Sequence, residues 1–221
     1  LIAAVGCNKE LTDDSVPAGN VILTATVESE TTKVGAAVDK EAAIASGIVA
    51  EKDRDLMVDT VYININATSL SRSELMLLDM LAHFDWKRPL YFTQVYVLQK
   101  FGLLDYLQFD GYAYRFVPIL TPYKDSWSIG RIDADYAYDK LMNTFRYGNL
   151  ADKRVYVDYF TQYNLQVSRA REAFARVARE YIKLGNAKRA EELLDRGIEV
   201  LPSKKIGYTH SNTQPYIRGY Y

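Results

Sequence analysis

Chemistry-bearing side chains crowd one short stretch, HFDWKRPLYFT, in which His83, Asp85, Trp86, Lys87 and Arg88 fall within six positions. Asp85 offers a carboxylate base, and Lys87 or Arg88 a cation to grip an anionic substrate. The same residues also suit a scaffold. Trp86 would close the end of a core, the two cations would face the carbonyl end of a preceding helix, and Pro89 would enter a strand where no ladder hydrogen bond is needed. A second candidate is the run in which Tyr112, Tyr114 and Phe116 alternate with Ala113, Arg115 and Val117. Such a tyrosine face serves either a strand core or the stacking of a sugar ring. Asp133, Asp135 and Asp139 lack the glycine and terminal glutamate of a calcium loop, and read as acids at a helix start. With one cysteine, Cys7, and two histidines, His83 and His210, neither an internal disulfide nor a structural zinc site can be assembled. No catalytic residue, metal ligand or cofactor follows from these patterns.

Composition narrows the function classes. At 48% hydrophobic and 25% charged, the 221 residues lie outside the disordered class. Lys and Arg number 5 against 11 Asp and Glu in residues 1–60, 9 against 9 in 61–150, and 13 against 8 in 151–221. The basic excess falls on what read as solvated helix faces, without a nucleic-acid motif, so no nucleic-acid partner is expected. No apolar run approaches the roughly 18–20 residues of a membrane-spanning helix.

The elements that must position these groups follow from periodicity. Val21, Leu23, Ala25 and Val27 alternate with polar residues as in one β-strand. The chain is then Ala-rich and helix-permissive from Asp39, with a seam at about 38–50. DTVYINI, 59–65, reads as a strand. Ser71 three residues before Glu74 forms a capping box, and Leu75 to Ala82 predict a mostly buried helix from about Ser71 to His83. Pro89 ends that pattern, and LYFTQVYV, from Leu90, reads as another strand. Strand, helix and strand in this spacing predict a βαβ unit with parallel strands. A short helix, a turn at Gly111, a further strand, and a helix from near Asp133 to Gly148 complete the middle.

Several segments resemble known families. LIAAVGC is similar to a clipped bacterial lipobox, which implies lipidation at Cys7. NKELTDDSVPAGN would be its tether, and Ser15, in DSV, resembles an O-glycosylation acceptor. The strand near Val21 resembles the opening of fimbrillin-like surface lipoproteins. SRSELMLLDMLAHFDWKRPLYFT, GLLDYLQFDGYAYRFVPI and DADYAYDKLMNTFRYGN together are similar, in order and spacing, to the C-terminal soluble region of Bacteroidota membrane proteins of glycosyltransferase family 117, over roughly residues 50–200. That family's members look like membrane sugar transferases using lipid-linked donors. The matching part is the non-catalytic end, so no catalytic residue carries over. FARVAREYIKLGNAKRAEELLDRGIEVLP places Phe174, Tyr181, Gly185, Ala190 and Pro202 at the spacing of one tetratricopeptide repeat, and TQPYIRGYY reads as the start of a further helix.

The expectation is an α/β core containing a βαβ unit, residues 50–150, followed by a tetratricopeptide-like helical segment, 151–221. Residues 1–49 would hold the lipoprotein signal, tether and linker. Its work would be that of an extracytoplasmic accessory region contacting a protein partner or a membrane domain of the same protein. Attachment would come through a lipid anchor or transmembrane segments elsewhere. A glycan contact through Asp85, Trp86, Lys87, Arg88, Tyr112 and Tyr114, as in a small sugar-binding domain, and a surface lipoprotein are the alternatives.

Overall fold

A computed structural model describes residues 24–28, 31–65, 70–124, 128–158, 160, 166–205 and 207–208. Cys7, Ser15, His210 and the TQPYIRGYY segment lie outside the described residues. Two small antiparallel sheets and several helices make up the fold, with a helical hairpin in its C-terminal part.

The first sheet holds β1 (Thr24–Glu28), β2 (Thr31–Ala37) and β3 (Thr60–Ile65) in that order. The single strand expected near Val21 is therefore replaced by a hairpin, and β2 pairs with β3 from Thr32↔Ile65 to Ala37↔Thr60. Val34 faces Ile63 and Ala36 faces Val61, and these four are buried while Tyr62 between them is exposed. That two-residue period puts one face of the sheet on a core and one toward water. The ladder runs across the break that composition suggested at 38–50. Between its strands lie α1 (Lys40–Ala45), capped by the Asp39 carboxylate accepting from the Ala42 amide at 2.9 Å, and a 3-10 turn, Glu51–Leu56.

The capping box at α2 (Arg72–Ala82) forms as expected. Glu74 N–H donates to Ser71 Oγ at 3.3 Å, and Ser71 N–H donates to Glu74 Oε2 at 2.7 Å. The helix is not mostly buried, however. Only Leu77 and Leu81 are, whereas Leu75, Met76 and Met80 are exposed. One i,i+4 seam, Leu77 and Leu81, joins the core, as in an amphipathic helix at the surface.

The predicted βαβ unit is not formed. β3 and the strand after α2 belong to different sheets, and the pairings between the described strands are antiparallel. The strand expected at LYFTQVYV is only β4 (Tyr91–Phe92), after which the chain turns into α3 (Tyr96–Gln99). β-propensity marks residues that suit a pleated surface, but a strand lasts only as long as its partner. β4 finds two partners, Tyr114 and Arg115 of β6 (Tyr114–Phe116), and β6 pairs on its other edge with β5 (Leu107–Phe109). Asp133 caps α4 (Ala134–Asp139), accepting from the Tyr136 amide at 3.2 Å. A π turn, Lys140–Thr144, then ends the helix short of Gly148.

α5 (Gln166–Lys183) and α6 (Ala187–Val200) form the hairpin. Gly185 turns it with φ of 75°, and the Asn186 side chain caps α6 by accepting from the Arg189 amide. Phe174, Val177, Tyr181, Ala190 and Leu194 are buried in a second core, where α4 and the π turn pack on the pair.

Candidate functional site

The β5–β6 hairpin carries polar groups in its interior. Gln108, Asp110 and Arg115 are buried together. Gln108 Nε2 donates to Asp110 Oδ1 at 3.0 Å, Arg115 Nε lies 2.9 Å from Asp110 Oδ2, and Arg115 Nη1 donates to the Gly47 carbonyl at 2.7 Å. The guanidinium also lies 4.7 Å over the Tyr136 ring. Burial pushes the Asp110 carboxyl above its ordinary value, and Arg115 opposes that shift. A buried pair of this kind adds little net stability, but its directional bonds fix the hairpin's shape.

A second buried cation joins this hairpin to α5. Arg176 places its Cζ 4.0 Å from the Phe109 ring centre. It donates to the Tyr114 hydroxyl at 3.0 Å and to the carbonyls of Ile129 and Gly130 at 2.5 and 3.4 Å. One turn earlier on α5, Glu172 Oε1 lies 3.7 Å from Arg176 Nη1. Burial raises the Glu172 carboxyl, with Arg176 and Arg169 pulling it back.

Between these elements opens a cleft of about 170 Å³. The Thr93–Val95 segment forms one wall, the Gly111 turn with Tyr112 and Tyr114 a second, and Arg169 and Glu172 of α5 the third. Gly111 has φ of 103°, and a Cβ there would stand 2.8 Å from the Phe145 ring, so the turn requires glycine at this position. Tyr112 packs edge-on against Phe145 with ring centres 5.1 Å apart, and burial pushes its phenol up to about 12, leaving the hydroxyl neutral. The cleft thus presents a carboxylate, a guanidinium, an amide and hydroxyls beside aromatic rings, a set suited to hydrogen-bonded recognition.

The model of a family described as TMEM260-associated domain 2 matches residues 20–136, more than half of the chain. The chain belongs to this family. No curated protein and no solved structure matches it.

The part matched to the TMEM260-associated domain ends inside α4, so it supplies two walls of the cleft, while Arg169, Glu172 and Arg176 lie beyond it. Of the residues singled out in sequence, Tyr112 and Tyr114 line the cleft, and Asp85, Trp86, Lys87 and Arg88 do not. Trp86 is 3% exposed, stacked on Phe116 at 5.5 Å and edge-on to Phe84 at 4.7 Å. Its φ of 59° is costly for a bulky residue. That conformation is held by this packing, by a Trp86 Nε1–H bond to the Ala37 carbonyl, and by the Ser46 hydroxyl donating to the Trp86 carbonyl at 2.8 Å.

Lys87 and Arg88 are exposed, and Lys87 pairs with Asp85 within the loop at 3.4 Å rather than facing the helix end. The Asp79 carbonyl there is met instead by His83 Nδ1 at 2.8 Å. Asp133, Asp135 and Asp139 serve separate partners: Lys52, Arg189 with Tyr181, and Asn143.

The basic residues read as solvated need correction in part, because Arg171 and Arg176 are buried. The signal for that lay in AREAFARVA: four alanines in nine residues allow close approach on several helix faces, leaving little surface for a cation between them.

Proposed function

We propose that this chain is a non-catalytic, extracytoplasmic accessory region of a membrane glycosyltransferase-like protein, working by contact with a protein partner or with a membrane domain of the same protein. The observation that carries the reading is the family match over residues 20–136, since that domain family is tied to a membrane protein. The sequence resemblance to the soluble end of glycosyltransferase family 117 supports the finer assignment. Among the described residues no helix is long and apolar enough to cross a membrane. The α5–α6 hairpin, with the spacing of a tetratricopeptide repeat, offers helical faces of the kind that bind partner segments. Membrane attachment through a lipid on Cys7 belongs to the same proposal: expressed behind a secretory signal, the protein partitions with membranes, and Cys7→Ser releases it.

The test of the non-catalytic reading is transfer itself. The chain, incubated with membranes containing lipid-linked sugars and an acceptor peptide, is expected to give no glycosylated product. Turnover that disappears in Asp85→Asn would overturn this reading and make the Asp85–Arg88 loop a catalytic one.

A further inference from the structure

We propose that the cleft between the Gly111 turn and α5 binds one small monocarboxylate with a compact apolar body, its carboxylate held by Arg169. This goes beyond the accessory role, because it rests on the cleft alone and holds whether or not the chain contacts a membrane protein.

Charge decides the class of ligand. Two charged side chains line the cleft, Arg169 and Glu172, both on α5. Glu172 is already committed, with its Oε1 3.7 Å from Arg176 Nη1 one turn further along the helix. Arg169 is half-buried and, among the described residues, makes no hydrogen bond or close ion pair. Its charge does pull on the Glu172 carboxyl, so two cations face one acid. One positive charge is left over, and a cation partly withdrawn from water gains from a counter-ion. A monoanion balances it. A dianion such as phosphate overshoots, setting its second charge beside Glu172.

Shape selects among monoanions. A carboxylate is planar and matches the guanidinium fork, accepting two parallel N–H bonds. Thr93 and Gln94, on the exposed rim, add a hydroxyl and an amide as further donors. The rest of the lining is apolar or aromatic: Val95, Phe109, Tyr112 and Tyr114. The cleft measures about 170 Å³, and a cavity of roughly 150 Å³ takes one benzene ring. The body of the ligand is therefore one ring or one short branched chain.

The apolar walls are fixed in advance. Arg176 pins the Tyr114 hydroxyl at 3.0 Å and lies over the Phe109 ring at 4.0 Å, while Phe145 packs edge-on against Tyr112. Rigidity of this kind reduces the entropy lost on binding.

The experiment is a titration of the chain with benzoate, 3-methylbutanoate, neutral benzamide and inorganic phosphate, followed by amide NMR shifts at Gly111, Gln94 and Arg169. At least one of the two acids is expected to shift these amides, with Kd on the order of 1 mM. Benzamide and phosphate should each bind at least about tenfold more weakly than that acid. Arg169→Met is expected to weaken the acid about tenfold or more, whereas Glu172→Gln, which removes the opposing charge, should tighten it about threefold. Where Arg169→Met disturbs folding, Arg169→Lys keeps the charge, loses the fork and should still weaken binding. An N-acetylated tripeptide ending in phenylalanine separates the two sources of such a group: tighter binding than benzoate assigns the end of a partner chain, and weaker binding a free acid. The proposal is overturned if neither acid shifts the Gly111 amide, if benzamide or phosphate binds as tightly as the acid, or if binding is undiminished in the Arg169 variants.

Discussion

Around β2, β3 and α2 the interior is apolar: Val34, Val61, Ile63, Leu77 and Leu81 meet the Trp86–Phe116 stack. Around α5 the interior contains charge. Arg171 is 1% exposed and donates to the Leu201 carbonyl, and Arg176 bridges to Tyr114, Ile129 and Gly130. The contrast separates two ways of specifying a fold. Apolar packing tolerates exchange between side chains of similar volume. A buried guanidinium tolerates none, since removing it strands every partner it satisfied. The cleft is built at the junction, its walls held by the second kind of interaction.

Substitutions at matched depth should reveal that asymmetry, and Arg176→Met gives the largest effect. Ile129 and Gly130 lose a donor and Glu172 its nearest cation, for an expected loss of about 3–5 kcal/mol. Ile63→Val, in the apolar core, should cost only about 0.5–1.5 kcal/mol. Denaturant melts of both variants check the pair, and equal losses would dissolve the distinction.

Tyr181→Asp follows, at about 3 kcal/mol. The phenol, buried and raised to about 12, donates to Asp135 at 2.7 Å and accepts from Arg189 at 2.9 Å, whereas a new carboxylate there would repel Asp135. Thermal unfolding should show the loss, and near-native stability would mean that the hairpin does not depend on this contact.

Gly185→Val should cost about 1–3 kcal/mol. Its φ is 75°, and a Cβ there meets nothing within 4 Å, so the penalty is backbone strain alone. The same variant would be neutral only if the turn rearranged, which the Asn186 amide, bonded to the Tyr181 carbonyl at 2.8 Å, would report by faster hydrogen exchange.

The smallest effect is a pH dependence at Glu172. Its folded carboxyl is raised by burial above the ordinary 4.5. A raised acid stabilises the fold fully below its unfolded pKa, and that contribution is lost as pH rises through the folded value. Wild-type protein should therefore gain on Glu172→Gln as pH falls from neutrality toward about 4.5, and gain no more below it. Paired melts across that range test this, and a pH-independent difference would refute it.

Much of the local structure was readable from the chain. The Ser71–Glu74 box, the Asp133 cap, the Gly111 and Gly185 turns and the Trp86 plug depend on residues a few positions apart, or on one side chain too large to leave in water. Strand pairing was not readable. β3 takes β2 as its partner, and β4 stops after Phe92, because both outcomes depend on which edge is free in space rather than on the strand's own residues. The cleft was half legible: the Tyr112–Tyr114 alternation marks one wall. Glu172, Arg169 and Gln94 give no pattern, since a charged residue on an amphipathic helix reads as solvated until its neighbours are placed. Asp85 to Arg88 drew attention by composition, yet three of the four stay at the surface and the fourth packs inside.

The claim that α5 holds the cleft's hairpin in place through Arg176 is tested most directly by native-state hydrogen exchange in wild type and Arg176→Met. The amides of Phe109 and Phe116 donate to the Arg131 and Leu90 carbonyls, at 2.8 and 2.9 Å, and report the hairpin. The β2–β3 ladder, from Thr32↔Ile65 to Ala37↔Thr60, reports the apolar core. Exchange is expected to speed at Phe109 and Phe116 well beyond any change in that ladder. Equal acceleration across both, or none at the hairpin, would contradict the account.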